Sequence, residues 1–374
     1  MIYFDNAATG GFKPSSVTQA VNTVINFLSA NPGRSGHRLA VTGAKIVSDC
    51  RTMLSETFNC STDRVIFTKN CTEALNILLF GTLKKYGHVI TTVYEHNSVL
   101  RPLLRLEKQG LIDLTIVSSL DEKGLISEIK KSIRKESYLI VCTCASNVTG
   151  FILPIKEIGK IAKEHRLLYF IDGAQGAGHF PIDMKELSAS AIALAGHKGL
   201  YGIMGSGALL LSDDLEIEPL LFGGTGTETF NPDMPISFPE RLEAGTVNLP
   251  AIASLLEGVR YVKNNLSTFS EILYSYTSRL YSSLSQIDGI KIYSKPNKVG
   301  IFSFEVLDKP SNLVSDLLNS EYDVAVRGGW HCAPLIHNAL NTNQEGLVRV
   351  SLAPQNTTRE IDYFKKALLN IVKS

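Results

Sequence analysis

No C-x-x-C pair occurs in this 374-residue sequence; its six cysteines stand at 50, 60, 71, 142, 144 and 332. That spacing excludes the usual zinc frameworks, and no metal site is expected. No apolar run exceeds strand length, so no membrane-spanning helix is expected. Met1 to Asn6 carry neither a basic stretch nor the start of a long apolar one. A secretory signal is therefore not expected, and the cytoplasm is the default compartment, where none of the cysteines needs a disulfide. Excess charge is missing too: 37 Lys and Arg against 36 Asp and Glu leave a net +1. That balance offers no electrostatic case for nucleic acid or for an anionic membrane. There is no internal repeat. Gly223-Gly224-Thr225-Gly226 lacks the spacing and the strand–turn–helix setting of a dinucleotide-binding loop.

What remains is the pattern of an α/β protein. Helix and strand signals alternate, which predicts a mainly parallel, doubly wound sheet. Residues 14 to 30 carry Val17, Val21, Val24, Ile25 and Leu28 on one helical face. Strands are predicted at Val65–Thr68, His88–Val93, Leu139–Thr143, Leu167–Ile171 and Leu209–Leu211, with helices after Asn70 and over Ile155–His165. Asn70 with Glu73 three residues on is a capping-box signal. Residues 222 to 250 are rich in Gly, Pro and Thr and read as a long functional loop. A long helical pattern follows Pro250. The expected division is a large domain over 15–248 and a smaller α/β domain over 249–374 joined by the segment 1–14.

Two segments carry the chemistry. Phe170 to Gln175 is an apolar run reaching Asp172, and Ala193 to Gly199 is one reaching Lys198. Both read as buried strands with a polar group at the C-terminal tip, the edge where ligands bind in open α/β sheets. A buried lysine of lowered pKa forms Schiff bases, and an aspartate suits a pyridinium nitrogen. Together they suggest pyridoxal 5'-phosphate (PLP) chemistry. The turn Asn70-Cys71-Thr72 offers free N–H groups and a hydroxyl to a phosphate. His96 has a ring to lie over a pyridine, Gln175 reaches toward a phenolic oxygen, and His197 toward the phosphate. Asn147 suits the cofactor or a substrate carboxylate. Cys332, in Arg327-Gly328-Gly329-Trp330-His331-Cys332, has a histidine and an arginine near it, surroundings that favour thiolate. Arg349, on an apolar strand, suits a bidentate grip on a carboxylate. Taken singly, each has an ordinary reading: a plain N-cap, a satisfied loop histidine, an inert buried thiol, a structural ion pair.

The ordered set is more specific. YFDNAAT at 3–9, NCTEALN at 70–76, EHNS at 95–98, SNVTG at 146–150, DGAQ at 172–175, GHKG at 196–199, EAGT at 243–246, RGGWHCA at 327–333 and VRVSLAPQNT at 348–357 span nearly the whole chain. In this the sequence resembles class V, fold-type I PLP-dependent enzymes, and specifically the type II (SufS-like) cysteine desulfurases. The resemblance implies conversion of L-cysteine to L-alanine, with a persulfide on Cys332 for transfer to a sulfur-acceptor protein. It implies that Lys198 binds the cofactor covalently and moves the substrate Cα proton. Asp172, Gln175, His96, Cys71, Thr72, His197 and Asn147 would hold the cofactor. Arg349 and Asn147 would hold the substrate carboxylate, with Asn6 and Ala7 beside the same pocket. Thr246 would reach the phosphate of a neighbouring subunit, which implies a homodimer with shared sites. Three departures stand out: Ala195 where a hydroxyl residue is usual, Cys71 where Thr or Ala is commoner, and Trp330 in place of a histidine. The rival readings are a selenocysteine lyase acting on L-selenocysteine, another class V aminotransferase or lyase, and a non-enzymatic α/β binding protein.

Overall fold

The structure is a computed structural model that describes residues 1–373. A short strand β1 (Ile2–Tyr3) and two helices, α1 (Ser15–Phe27) and α2 (Arg38–Phe58), come first. A regular alternation follows: β2 (Val65–Thr68), α3 (Cys71–Gly81), β3 (Gly87–Thr92), α4 (Asn97–Lys108), β4 (Ile112–Val117), α5 (Glu122–Ser132), β5 (Ser137–Thr143), α6 (Ile155–Glu164), β6 (Leu168–Asp172), β7 (Ala191–Ala195) and β8 (Gly207–Leu211). Strands β2 to β8 make one seven-stranded sheet in the order β2-β8-β7-β6-β5-β3-β4. Only β8 runs against its neighbours β7 and β2; the other pairings are parallel. The C-terminal ends of β2, β3, β5, β6 and β7 therefore open on one edge.

These strands are apolar throughout because both faces are covered. Along β7, Ile192 and Leu194 point into one core while Ala191, Ala193 and Ala195 point into the other. Leu54 of α2, Ile129 of α5 and Ile158 of α6 fill the first core. Leu75 and Leu78 of α3 with Val99 and Leu103 of α4 fill the second.

The chain continues through α7 (Leu249–Leu284), β9 (Ile290–Ile292), β10 (Ile301–Val306), α8 (Ser311–Tyr322), β11 (Val324–Ala325), α9 (Pro334–Leu340), β12 (Val348–Ser351) and α10 (Thr358–Lys373). Strands β12-β10-β9 form an antiparallel sheet, and β1 pairs in parallel with β11. A third core gathers Phe4, Phe302, Phe304, Val348 and Phe364. Helix α7 serves two cores. Ile252, Leu255 and Val259 lie in the first, and Leu273, Leu280 and Leu284 in the third. The expected division at 248/249 falls at the start of this shared helix.

Two local expectations differ from the structure. Helix α1 ends at Phe27, short of residue 30, and Ile25 is turned outward with 56% exposure. Val17 and Val24 are the residues it buries, so part of its apolar face has no partner within one chain. Among the described residues no helix is long and apolar enough to cross a membrane.

Candidate active site

Asp172 closes β6 opposite Ala193 of β7, and Gly173 N–H donates to the Ala193 carbonyl at 2.9 Å. Strand β7 stops at Ala195, so Lys198 does not sit on the strand tip. It lies three residues beyond, in a turn closed by Gly196 N–H to Ser206 O and Gly202 N–H to Gly196 O. The turn after Asp172 packs directly on it. Gly178 has φ +87°, and a Cβ there would lie 2.0 Å from the Gly199 carbonyl oxygen. Only glycine allows that approach, and it holds the Asp172 and Lys198 turns together.

Asp172 is buried. Its Oδ1 accepts from Ala174 N–H at 2.9 Å and from the Cys71 thiol at 3.3 Å. Among the described residues none donates to Oδ2. Lys198 Nζ likewise has no hydrogen-bond partner among them. Burial pushes the Lys198 pKa down, and the charge of Asp172 opposes the shift. A carboxylate oxygen and an amine, both unengaged at one sheet edge, fit a cationic ring nitrogen and an aldehyde carbon.

Asn70 caps α3, its Oδ1 accepting from Glu73 N–H at 2.9 Å. Glu73 Oε2 accepts in return from Lys69 N–H, one residue further back than in the simple capping box. The N–H groups of Cys71 and Thr72 have no acceptor among the described residues, and Thr72 is exposed beside them. These N–H groups and the Thr72 hydroxyl could hold a phosphate. Burial and the Asp172 charge hold the Cys71 thiol well above its usual pKa.

His96 is the N-cap of α4; its Nδ1 accepts from Ser98 N–H at 3.1 Å. Burial pushes its pKa down to about 4, so the ring is neutral. His197 faces the Thr9 hydroxyl at 3.0 Å, and burial with the Lys198 charge takes it to about 4 as well. Its carbonyl accepts from Gly10 N–H at 3.0 Å and from Lys13 Nζ at 3.2 Å. Gln175 donates through Nε2 to Ala7 O at 3.1 Å. Asn6 is engaged at both ends of its amide: Nδ2 donates to Ser351 O at 2.9 Å and Oδ1 accepts from Gly11 N–H at 3.0 Å. It locks the first segment and also lines a cavity with Tyr3, Thr9 and Gly10. Ala7 N–H donates to the Ser351 hydroxyl at 2.9 Å.

Arg349, on β12, is 1% exposed. One amino group donates to Asn147 O at 3.0 Å and the other to Asp5 Oδ1 at 2.8 Å, while Nε is buried without a partner. Asn147 donates through Nδ2 to His331 O at 2.7 Å, and Asn97 N–H donates to Cys332 O at 2.8 Å. Cys332 is the one exposed cysteine of the six. The expectation that its histidine neighbour favours thiolate is corrected. His331 is buried, its Nε2 lies 3.1 Å from Leu347 O, and burial with the Arg349 charge holds it well below its usual pKa. A neutral ring turned toward a carbonyl does not stabilise a thiolate. Trp330 lies half outside, its Nε1 donating to Asn343 O at 2.9 Å. Thr246 is exposed, accepts from Asn31 Nδ2 at 3.4 Å, and lines a depression with Lys69 and Glu73.

Sequence reasoning missed Asp5, Lys13, Glu95 and Asn97 as site residues. Glu95 is fully buried; Oε1 accepts from the Thr92 hydroxyl at 2.6 Å and from Thr143 N–H at 3.1 Å, while Oε2 has no partner. Burial pushes its pKa up to about 8. Its one signal was an acid a few residues after a buried strand. Asn97 acts through its main chain, which leaves no trace in residue type.

The family model described as "Aminotransferase class-V" matches residues 2–364. A probable cysteine desulfurase of Methanothermobacter thermautotrophicus is 32% identical, covering 99% of this chain and 94% of its own. One from Pyrococcus abyssi is 32% identical, covering 100% and 95%. The apo structure of a cysteine desulfurase from Thermococcus onnurineus NA1 superposes with a TM-score of 0.92 at 30% identity, covering 100% of this chain and 94% of that one.

Proposed function

The chain belongs to the class-V aminotransferase family, and from that premise we propose that it is a PLP-dependent cysteine desulfurase. It converts L-cysteine to L-alanine and leaves the sulfur on Cys332 as a persulfide. The single observation that carries this reading is the placement of Cys332. The one exposed cysteine has its carbonyl docked on the first N–H of α4, next to His96, at the edge where Asp172 and Lys198 emerge.

Bound PLP supplies an electron sink for charge developing at the substrate Cα. Asp172 would hold its pyridine nitrogen, Gln175 its phenolic oxygen and His96 its ring face. The N–H groups of Cys71 and Thr72, the Thr72 hydroxyl and His197 would hold its phosphate. Lys198 would carry it and, once displaced, moves the Cα proton through Nζ. Burial raises the share of neutral amine available for that task. Arg349 and Asn147 orient the substrate carboxylate. The Cys332 thiolate attacks the substrate sulfur: the new S–S bond forms as the substrate Cβ–S bond breaks. The electron pair left at Cβ takes a proton, so cysteine plus thiol becomes alanine plus persulfide without an outside oxidant. Exposure of Cys332 lets an acceptor thiol, such as that of a partner protein, collect the sulfur. A homodimer completes the site, with Thr246 reaching the neighbouring phosphate. Exposed Ile25, Phe27, Phe222, Phe230 and Ile236 support such an interface.

Mass spectrometry after incubation with L-cysteine tests the reading. The Cys332 peptide should gain one sulfur atom while alanine is released. Cys332→Ser should keep the yellow cofactor and lose both products. Undiminished alanine release by that variant overturns the mechanism.

A further inference from the structure

Cys332 and His331 both have positive φ, +57° and +49°. Side chains other than glycine adopt that region at a cost and hold it when surrounding contacts impose it. Here the two peptide carbonyls concerned are each caught by a donor from the large sheet's edge. Asn147 Nδ2 takes the His331 carbonyl at 2.7 Å, and Asn97 N–H takes the Cys332 carbonyl at 2.8 Å. Gly329 on the same loop is fixed from its other side, its carbonyl accepting from Leu347 N–H at 3.0 Å. The carbonyl of Asn147 meanwhile accepts from Arg349 at 3.0 Å, and Arg349 is braced by Asp5 at 2.8 Å. One residue thus joins the guanidinium, through its main chain, to the cysteine loop, through its side chain.

We propose that Asn147 is a positioning residue for the sulfur nucleophile: it latches the His331–Cys332 backbone and ties that loop to the carboxylate-gripping Arg349. Asn97 N–H is the second half of the latch. This rests on the desulfurase reading for the roles of Arg349 and Cys332, and it goes beyond a contact between Asn147 and a bound molecule. Occupancy of the arginine by a substrate carboxylate and the position of the attacking sulfur become one mechanical problem. A substrate without a carboxylate leaves the latch unloaded.

The test uses two variants that remove the two donors by different means. Asn147→Asp keeps the shape but turns a donor into an acceptor facing a carbonyl. Asn97→Pro removes the N–H at the first helical position, where proline is accepted and the preceding His96 is already extended. Two readouts are taken on the PLP-loaded protein. The first is the rate of Cys332 alkylation by iodoacetamide without substrate. The second is the separation of kcat from KM for L-cysteine. Both variants should retain cofactor absorbance. Both should change the alkylation rate at least about threefold and lower kcat about tenfold or more; KM should hold within about threefold for Asn97→Pro, whose lost N–H touches no substrate, and rise for Asn147→Asp, which also loses its carboxylate contact. Unchanged alkylation and kcat with a raised KM, or loss of cofactor from Asn147→Asp alone, overturns the latch and leaves Asn147 as a ligand contact. Alkylation is read without turnover, so it stands even where the wild-type protein forms no persulfide, the result that would sink the desulfurase reading instead.

Discussion

Glu95 is a fully buried carboxyl whose Oε2 receives no hydrogen bond from any described residue. Its Oε1 staples the ends of β3 and β5 through Thr92 and Thr143, one residue before His96. Burial raises its pKa from an ordinary 4.5 to about 8. The unfolded chain releases this proton near the ordinary value, while the folded chain keeps it until about pH 8. Between those limits the folded state binds more protons, so stability falls as pH rises, by ~1.4 kcal/mol per pH unit from this one group, and levels off above about pH 8. Glu95→Gln is neutral throughout and keeps the acceptor oxygen. Urea unfolding at about pH 5 and about pH 9 should show the variant gaining on the wild type by a few kcal/mol at the higher pH; parallel curves would contradict the buried acid. Asp172 and Lys198 could be singled out in the sequence because each follows an apolar run, one at the end of its strand and the other three residues past it. Glu95 was hidden by its neighbour His96, and Asp5 by its distance: its partner Arg349 lies 344 positions along the chain.

Helix α7 packs along the Lys198 turn through Ser254, Tyr261 and Phe269, and comes closest at Gly258. A Cβ at Gly258 would lie 2.1 Å from the Leu200 carbonyl oxygen, two residues after the lysine. In an exposed helix Gly→Ala gains up to ~1 kcal/mol. Here the sign reverses: Gly258→Ala should cost roughly 1–3 kcal/mol in overpacking. It should also shift the turn, so that borohydride fixes less cofactor to Lys198. Denaturation midpoints and the trapped fraction measure the two effects, and a more stable variant with full trapping would refute the contact. At this scale much was readable. The strands expected at Val65–Thr68, His88–Val93, Leu139–Thr143, Leu167–Ile171 and Leu209–Leu211 fall close to β2, β3, β5, β6 and β8, whereas β4, α4 and α5 had no expectation behind them. The antiparallel sense of β8 was not readable, since a strand covered on both faces is apolar whichever way it runs. Nor was the double role of α7, whose two halves share one helical period while packing in different cores. The end of β7 at Ala195 coincides with Gly196, a break signal that the apolar run before it outweighed.

For the whole molecule, the exposed apolar residues set the next expectation. Phe222 is 75% exposed and Phe230 fully so, on the long loop that also carries Thr246. Sedimentation should give twice the 40.9 kDa chain mass. Phe222→Asp combined with Phe230→Asp should give a single chain that has lost most cysteine turnover, because Thr246 then reaches no neighbour. A wild-type protein that sediments as a single chain would end the shared-site proposal. The first segment has a different consequence. Ile2 and Phe4 donate to Asp323 and Ala325, Ser351 N–H donates to Phe4 O, and Asp5 braces Arg349. These partners are made hundreds of positions later. At roughly 5–20 residues per second, the first segment waits on the order of tens of seconds for them, while the sheet between can already form. The carboxylate grip is thus closed only when two segments made far apart in time meet, and a chain released before Arg349 keeps its lysine and its aspartate but never acquires the arginine at all.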